Sequence, residues 1–268
     1  VWFHNQAQQQ WLHVPALRSR RTGWVDLLKD RNFSVVLDYV AGSTLSRSSP
    51  LSAIESLGQT LGRLHSITSK QHGPLMTYLP SRGNYLQAQQ AYWQKTAQLL
   101  ERQAAFAESQ NIQQVLGWLN EHSRFLDDIK QFNLIHGDPS GGNFLLTEPD
   151  KLWLIDCDRI GFEPGARELA SALLEGYCAA DMQRCQHLVD AYLQHCPDEA
   201  RRLWLAHAQF FIATALLWRT QRKLQWSLKR PDKKNAPLRA IRAWQQLLAI
   251  TGAKDGDWQT LLALLTDK

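Results

Sequence analysis

Residues 134–146 read LIHGDPSGGNFLL, a glycine-rich loop between two short apolar runs, and a further apolar run, LWLID, follows at 152–156. The segments NFLL and KLWLID are separated by TEPD, whose polar and proline residues predict a turn between two strands. Because a hairpin folds back on itself, Asp156 at the end of its second strand should return close to Asn143. We therefore expect the side chains of Asp138, Asn143 and Asp156 to converge on one small volume.

The order and spacing of these three residues are typical of phosphoryl transfer. The reaction needs a carboxylate that orients or deprotonates the attacking hydroxyl, and oxygen ligands for Mg²⁺ on the nucleotide phosphates. The kinase catalytic loop has an Asp, four residues and an Asn, with a metal-binding Asp beyond. The pattern predicts Asp138 as catalytic base and Asn143 and Asp156 as Mg²⁺ ligands, with ATP as co-substrate. Asp138 could instead be a plain turn residue, although its two partners argue against this.

The residues around the loop resemble a known family. HGDPSGGNFLL, followed by LWLIDCDRIGFEPGARELASAL, resembles the aminoglycoside phosphotransferase and choline kinase-like family, the small-molecule branch of the protein kinase-like fold. In that family a Gly stands between the His and the Asp, as Gly137 does here. The resemblance covers residues 33–175 by motif, and it implies transfer of a phosphoryl group from ATP to a hydroxyl of a small molecule, with Mg²⁺.

The resemblance also implies roles for residues outside the central motif. VVLDYVAGSTL resembles the hinge between the two kinase lobes, where the backbone of Asp38 and Val40 would bond adenine and Leu37 would lie behind it. Glu168 would support the catalytic loop through hydrogen bonds, although the family more often has Asp there. His136 would pack against the loop and bond its backbone rather than react.

Predicted strands precede predicted helices, which favours an α+β class with strands and helices segregated. Together with the resemblance, this implies a protein kinase-like fold with a truncated N-lobe of few antiparallel strands and a large, mostly helical C-lobe. We expect residues 1–42 to form the partial N-lobe, ending in the hinge. Residues 43–268 would form the C-lobe, with the catalytic loop at 134–146, the metal-binding hairpin at 144–161 and helices at its C-terminal end.

Apolar periodicity predicts the helices of the C-lobe. Ser52 is a candidate N-cap for a first helix, and residues 84–130 read as helical with a weak break near 109–111. Beyond about residue 166 the sequence predicts amphipathic helices with breaks at Pro197, 231–237 and 252–256.

Parts of a kinase N-lobe are missing from the sequence. Strands are predicted at 24–28 and 33–40, but kinases also need a glycine-rich loop and a strand Lys paired with a helix Glu. There is no Gly before Gly23, no Lys before Lys29 and no acid before Asp26. We expect either a fragment of a longer protein or a degenerate kinase, and the intact Asp, Asn and Asp favour the fragment.

Composition is ordinary for a soluble globular protein, with 44% hydrophobic and 21% charged residues. The longest apolar run, FFIATALLW at 210–218, is too short to span a bilayer, and the first residues lack a signal-peptide pattern. The four cysteines form no CxxC pair, which suits reduced thiols better than a disulfide framework or a zinc site. A cytoplasmic location is therefore expected.

Basic residues are concentrated near the C-terminal end of a chain whose net charge is +5. Between 201 and 242, Asp232 is the only acid, and the basic residues there are Arg201, Arg202, Arg219, Arg222, Lys223, Lys229, Arg230, Lys233, Lys234, Arg239 and Arg242. Such a region attracts anions, although it could also be a solvated helical face. It favours a neutral or anionic acceptor over a polycationic one, and no pattern favours nucleic acid.

Several alternatives remain open at this point. The chain could be a pseudokinase without nucleotide chemistry, or a module that binds anions through its basic helices. A choline-like acceptor would need an aromatic cage, which the sequence cannot assemble. Asp158 could be a third metal ligand, but a structural role is favoured. Five tryptophans could stack on an acceptor, but helix packing is favoured for Trp204, Trp218, Trp226, Trp244 and Trp258.

Overall fold

The computed structural model describes residues 12–13, 39–69, 85–103, 109–129, 131–148, 150–178, 181–230 and 236–252. The strands predicted at 24–28 and 33–40 lie outside these residues, apart from positions 39 and 40, which are not in a strand. Within the described ranges, no helix combines the length and the apolar character that crossing a bilayer requires.

The described strands form two small antiparallel sheets on either side of the central loop. They are β1 (Ser43–Thr44), β2 (Asn133–Ile135), β3 (Phe144–Glu148), β4 (Lys151–Leu154) and β5 (Gly161–Glu163). One sheet has the order β1-β3-β4, and the other pairs β2 with β5. The hairpin predicted from NFLL and KLWLID is confirmed, since Phe144 in β3 lies opposite Leu154 in β4.

Helices make up most of the remainder of the described chain. They are α1 (Leu51–His65), α2 (Tyr85–Glu101), α3 (Ser109–His122), α4 (Gly165–Leu173), α5 (Met182–His195), α6 (Asp198–Lys229) and α7 (Ala236–Gly252). Short 3₁₀ turns lie at Arg124–Asp128, Gly141–Asn143 and Cys157–Arg159. The predicted break at Pro197 is confirmed. The break predicted at 231–237 ends too late, since α7 already begins at Ala236, while residues 231–235 and 253–256 lie outside the described residues.

Three helix boundaries differ from the predictions. Ser52 is not an N-cap, because α1 starts one residue earlier with Pro50 at the cap position and no side-chain cap hydrogen bond. The break predicted near 109–111 is also wrong, since α3 already begins at Ser109. An unpredicted break separates α4 from α5, where the Asp181 side chain accepts the N–H of Arg184 at 3.1 Å and caps α5.

Glycines on α1 allow it to pack closely against α5. A Cβ atom on Gly58 would lie 2.5 Å from the Leu188 carbonyl oxygen and 2.8 Å from the Ala191 Cβ. One turn later, a Cβ on Gly62 would lie 2.9 Å from the His195 Cβ. The two helix backbones can therefore approach only because these positions carry no side chain.

We expect Gly58→Ala to lower the free energy of unfolding by about 2 kcal/mol, because the added methyl overlaps backbone that cannot move without separating α1 from α5. Gly117→Ala is the matched control: Gly117 lies inside α3 and a Cβ there would meet nothing within 4 Å. The control should raise the stability by about 1 kcal/mol, since Ala is the better helix former. Urea unfolding of both variants checks the opposite signs, and equal effects would contradict the packing argument.

Arg184 ties the segment that follows β1 to the helical part of the molecule. Its side chain is buried, and its guanidinium donates to the carbonyl oxygens of Ser49 at 2.8 Å and Ser46 at 3.2 Å. The same guanidinium also donates to the carbonyl of Tyr177, between α4 and α5. Residues 46–49 are thus fixed to the start of α5.

Candidate active site

The catalytic loop leaves β2 through Gly137 and Asp138 and packs against the 3₁₀ turn after β4. Gly137 has φ +84°, and a Cβ there would overlap the carbonyl of Arg159. This close approach and the left-handed backbone both require glycine. The Arg159 guanidinium lies 3.6 Å from the Asp138 carboxylate, whose side chain is one-fifth exposed at 20%. Asp138 is thus reachable from solvent and lies beside a cation.

Asn143 is held within the loop and is almost fully buried. Its Nδ2 donates to the backbone carbonyl of Asp138 at 2.9 Å, and its own carbonyl accepts the N–H of Ile155 at 3.0 Å. The first bond fixes the amide orientation, so Oδ1 is the atom that can bind a cation. The second bond places Asp156, the next residue, beside the same loop.

Asp156 lies two residues beyond the end of β4 and has an unusual backbone conformation. Its φ of 56° and ψ of 57° lie in the left-handed region, and it is the only non-glycine residue with positive φ among those described. Residues in this region are uncommon and cluster at functional sites, although Asp tolerates it better than most residues. The side chain is exposed. Asp156 therefore projects from a sharp turn between β4 and the 3₁₀ turn.

The donor set fits Mg²⁺. One amide oxygen and carboxylate oxygens are hard ligands, and Mg²⁺ takes few protein ligands while keeping water and phosphate oxygens. In the described part of the chain, no group of three or more His, Cys, Asp or Glu residues could hold a metal, which excludes a zinc-type cluster there. Backbone contacts thus place Asn143 beside Asp138, and Ile155, the residue before Asp156, beside Asn143, while the metal-binding roles of Asn143 and Asp156 stay predictions.

Glu168 on α4 holds the loop in place through hydrogen bonds. Its carboxylate is buried and accepts the backbone N–H of His136 at 2.9 Å and of Gly137 at 2.6 Å. It also accepts Nε2 of His65, at the end of α1, at 2.9 Å. Burial alone would raise the pKa of Glu168, but these hydrogen bonds and the neighbouring His65 charge hold that pKa below its ordinary value.

The support extends from Glu168 to two further helices and to β4. Nδ1 of His65 lies 2.9 Å from the hydroxyl of Tyr192 on α5. His136 bonds the Ile155 carbonyl through Nε2 at 2.8 Å, close to the end of β4. The loop is therefore bonded to α4, through it to α1 and α5, and to the strand that carries Asp156.

The predicted hinge is only partly described. Leu37 and Asp38 lie outside the described residues, and Val40 is half-buried. Beyond it, the N–H of Leu45 bonds the carbonyl of Gly141 at 3.1 Å, and β1 pairs with β3. The chain that follows Val40 therefore runs directly along the catalytic loop, where a hinge beside the nucleotide would lie.

A cleft of about 340 Å³ opens beside Asp138, and we call it the acceptor cleft. Its lining residues are Asp138, Ser140, Glu175, Trp218, Arg219, Arg222, Lys223, Trp226 and Arg239. The volume is that of a typical small-molecule site. The tryptophans divide accordingly: Trp204 and Trp244 are buried in the core, whereas Trp218 and Trp226 line the cleft.

The sequence reading missed two residues next to the loop. Arg159 lies beside Asp138, and the hydroxyl of Tyr177 donates to the carbonyl of Pro139 at 2.7 Å. Tyr177 lies outside the quoted motifs and Arg159 lies within LWLIDCDRIG, but only the tertiary contacts show that both residues touch the loop. The second contact also explains how the loop accommodates Pro139, because the carbonyl, not the missing N–H, is the bonded group.

A family model described as the phosphotransferase enzyme family matches residues 2–205. No curated protein matches the chain. Among solved structures, a choline/ethanolamine kinase family protein from Mesorhizobium loti is 18% identical, with a TM-score of 0.59 over 98% of this chain and 81% of that one. The choline kinase of Streptococcus pneumoniae is 14% identical, with a TM-score of 0.60 over 92% and 79%.

A spectinomycin phosphotransferase in complex with ADP and spectinomycin is 13% identical, with a TM-score of 0.54 over 82% of this chain and 70% of that one. These similarities show the fold, and they confirm the predicted kinase-like α+β class with few antiparallel strands and a mostly helical C-lobe. The family match covers about three quarters of the sequence and confirms the predicted resemblance. The chain belongs to the phosphotransferase enzyme family.

Proposed function

We propose that this chain is an ATP-dependent phosphotransferase that acts on a hydroxyl group of a small molecule. The observation that carries the proposal is Asp138, partly exposed at the wall of a cleft of about 340 Å³ and bonded through its backbone to Asn143. The solved relatives support nucleotide use, because one is a complex with ADP and another, of the choline kinase LicA, is a complex with AMP.

In the proposed reaction, an acceptor hydroxyl binds in the acceptor cleft within reach of the Asp138 carboxylate. Asp138 orients the hydroxyl and takes its proton as the hydroxyl oxygen attacks the γ-phosphorus of ATP. The bond between the γ-phosphorus and the β,γ-bridging oxygen breaks, and ADP leaves. The Arg159 guanidinium, 3.6 Å from that carboxylate, is placed to hold it in position.

Asn143 and Asp156 are the proposed Mg²⁺ ligands, through Oδ1 and the carboxylate. Mg²⁺ held by these residues would neutralise charge on the nucleotide phosphates. The hydrogen bond from Asn143 Nδ2 to the Asp138 carbonyl would hold the proposed metal ligand at a fixed position relative to the proposed base. Leu37, Asp38 and Val40 are proposed to contact adenine, and Glu168 and His136 to hold the loop in shape.

Asp156→Ala is expected to weaken Mg²⁺-dependent ATP binding at least tenfold, because it removes a charged oxygen ligand of the metal. Calorimetry with ATP, with and without Mg²⁺, measures the effect. Asp150→Ala is the matched control, since Asp150 lies at the exposed turn of the same hairpin and the variant changes net charge equally. Unchanged Mg²⁺-ATP affinity in Asp156→Ala would contradict the metal assignment.

The alternative is a protein that binds anions through its basic helices without nucleotide chemistry. This alternative is favoured by the four cations that line the acceptor cleft, because they would attract an anion. They are Arg219, Arg222, Lys223 and Arg239. The same calorimetry separates the two: an anion-binding module would bind inorganic phosphate but show no Mg²⁺-dependent affinity for ATP. A cytoplasmic site of action is part of the proposal for the enzyme, because ATP is found there.

A further inference from the structure

We infer that the acceptor carries a phosphate group in addition to the hydroxyl that is phosphorylated, and that this phosphate binds in a second cavity beside the acceptor cleft. The inference rests on the proposed function, because it names the substrate class of the same site. The second cavity, which we call the basic cavity, has a volume of about 550 Å³. It is lined by Arg47, Leu173, Leu174, Gly176, Cys185, Arg219, Lys223, Arg239, Arg242, Ala243 and Gln246.

The lining of the basic cavity carries charge of one sign. Five of its residues are cations, and no acid is among the described residues that line it. Arg219 and Lys223 come from α6, Arg239 and Arg242 from α7, and Arg47 from the segment after β1. Because three separate parts of the chain contribute, the charge surrounds one space that is open to solvent rather than lying along a single helical face.

The basic cavity and the acceptor cleft adjoin each other. They share Arg219, Lys223 and Arg239, and Asp138 lines the cleft but not the cavity. One molecule can therefore occupy both, with a hydroxyl at Asp138 and an anionic group among the cations. Neither Asn143 nor Asp156 lines either space, so the cations lie away from the proposed Mg²⁺ side, where the ATP phosphates would bind.

Among the described residues, the cations of the basic cavity have few negative partners. Arg219 donates to the carbonyl of Leu174 and lies 3.7 Å from Glu175, its one ion-pair partner among the described residues. Lys223, Arg239 and Arg242 form no ion pair with another described residue. Burial, together with the nearby Arg219, lowers the pKa of Lys223, as expected where cations are gathered without counter-charge. A bound anion would relieve this repulsion.

The side chains suit a phosphate better than a carboxylate. Guanidinium groups bind phosphate oxygens in pairs, and four arginines with one lysine exceed what a single negative charge would need. Trp218 and Trp226 stand in the acceptor cleft, where they can cover the uncharged body of the molecule. The hydroxyl oxygen attacks the γ-phosphorus of ATP, its proton passes to Asp138, ADP leaves, and the product holds the original phosphate and the new phosphate ester.

The test compares paired probes by calorimetry: glucose 6-phosphate with glucose, and glycerol 3-phosphate with glycerol. The wild-type chain should bind the phosphorylated member of a pair at least tenfold more tightly. The double variant Arg47→Gln/Arg242→Gln removes two cations that line the basic cavity and not the acceptor cleft. In this variant, the ratio of the affinities for the phosphorylated and unphosphorylated probes should fall by about tenfold or more, because hydrogen bonds to charged groups are stronger than those between neutral groups.

The charge-matched control is Arg202→Gln/Lys229→Gln, two exposed positions at the ends of α6 that line neither cavity. It should bind the phosphorylated probes as the wild type does. Equal binding of both members of every pair, or loss of the preference in the control as well, would overturn the inference. The inference would also be overturned by the discovery of an acceptor that has no anionic group and whose KM is the same in the wild type and in the Arg47→Gln/Arg242→Gln variant.

Mg²⁺-ATP titrations on the same samples separate this inference from the proposed function. Mg²⁺-ATP binding without any preference for phosphorylated probes would overturn the phosphate site alone. Binding of phosphorylated probes without Mg²⁺-ATP binding would overturn the kinase proposal, and with it the assignment of the phosphate to an acceptor. Inorganic phosphate is a further probe, and it should compete with glucose 6-phosphate if the phosphate group alone is recognised.

Discussion

Asp138→Ala is expected to lower the rate of phosphoryl transfer by about 10³-fold, the usual scale for loss of a positioned general base. The side chain is the carboxylate that lines the acceptor cleft beside Arg159, so the variant loses both proton acceptance and orientation of the hydroxyl. A screen of phosphorylated compounds would first identify an acceptor. The rate of ADP release in its presence then measures kcat. Turnover within tenfold of the wild type would contradict the assignment of Asp138 as the base.

The fold should survive this change. The Asp138 side chain has one ion-pair partner among the described residues, Arg159 at 3.6 Å, and such partly exposed pairs add little to stability. The free energy of unfolding should therefore stay within about 0.5 kcal/mol of the wild type. Asp127→Ala, at an exposed acid in the 3₁₀ turn before β2, is the control, and it should change neither the rate nor the stability.

Glu168→Gln is expected to lower the free energy of unfolding by about 3 kcal/mol, because hydrogen bonds to a charged group each contribute about 1.5–3 kcal/mol and a buried donor left without an acceptor is costly. The carboxylate accepts hydrogen bonds from His65 and from the N–H groups of His136 and Gly137. The Gln side chain places an amide NH₂ where one of these donors needs an acceptor. Urea unfolding at pH 7 measures the loss, and the exposed Glu121→Ala on α3 should leave stability unchanged.

The stability lost in Glu168→Gln should decrease as the pH is lowered. The pKa of Glu168 is held below its ordinary value of 4.5 in the folded protein, so its contribution is present above that value. That contribution is lost as the pH falls through the lower folded-state pKa. The stability difference between wild type and Glu168→Gln should thus be largest near neutral pH and shrink below pH 4.5. A difference that does not change with pH would show that the charge of Glu168 is not what stabilises the loop.

Local pattern was enough to predict the parts of the fold whose information is local. NFLL and KLWLID form the predicted hairpin because alternating strands joined by a short turn need no distant partner. The pairing of β2 with β5 was not predictable in this way, since only the path of the chain through the loop brings the two strands together. The Asp181 cap was missed because the apolar pattern continues across the break before it.

In the candidate site, too, only the features that depend on local sequence could be predicted. The order of Asp138, Asn143 and Asp156 could be read from the sequence because hairpin geometry relates them. The basic residues near the C-terminal end could be counted but not sorted into exposed faces and cavity walls. Arg202 is exposed, whereas Arg219 and Lys223 line both cavities, and only the packing of α6 against α7 decides which is which.

The contacts of Arg184 have a mechanical consequence. Its hydrogen bonds to the carbonyls of Ser46, Ser49 and Tyr177 join the segment that follows β1 to α5. Leu45 is in turn bonded to the catalytic loop at Gly141. Residues 45–49 are therefore fixed both to the loop and to α5. If the protein binds ATP as proposed, a movement that admits the nucleotide would pivot before Leu45, so substitutions near Val40 should alter the rate of nucleotide exchange while those at Ser46 to Ser49 should not.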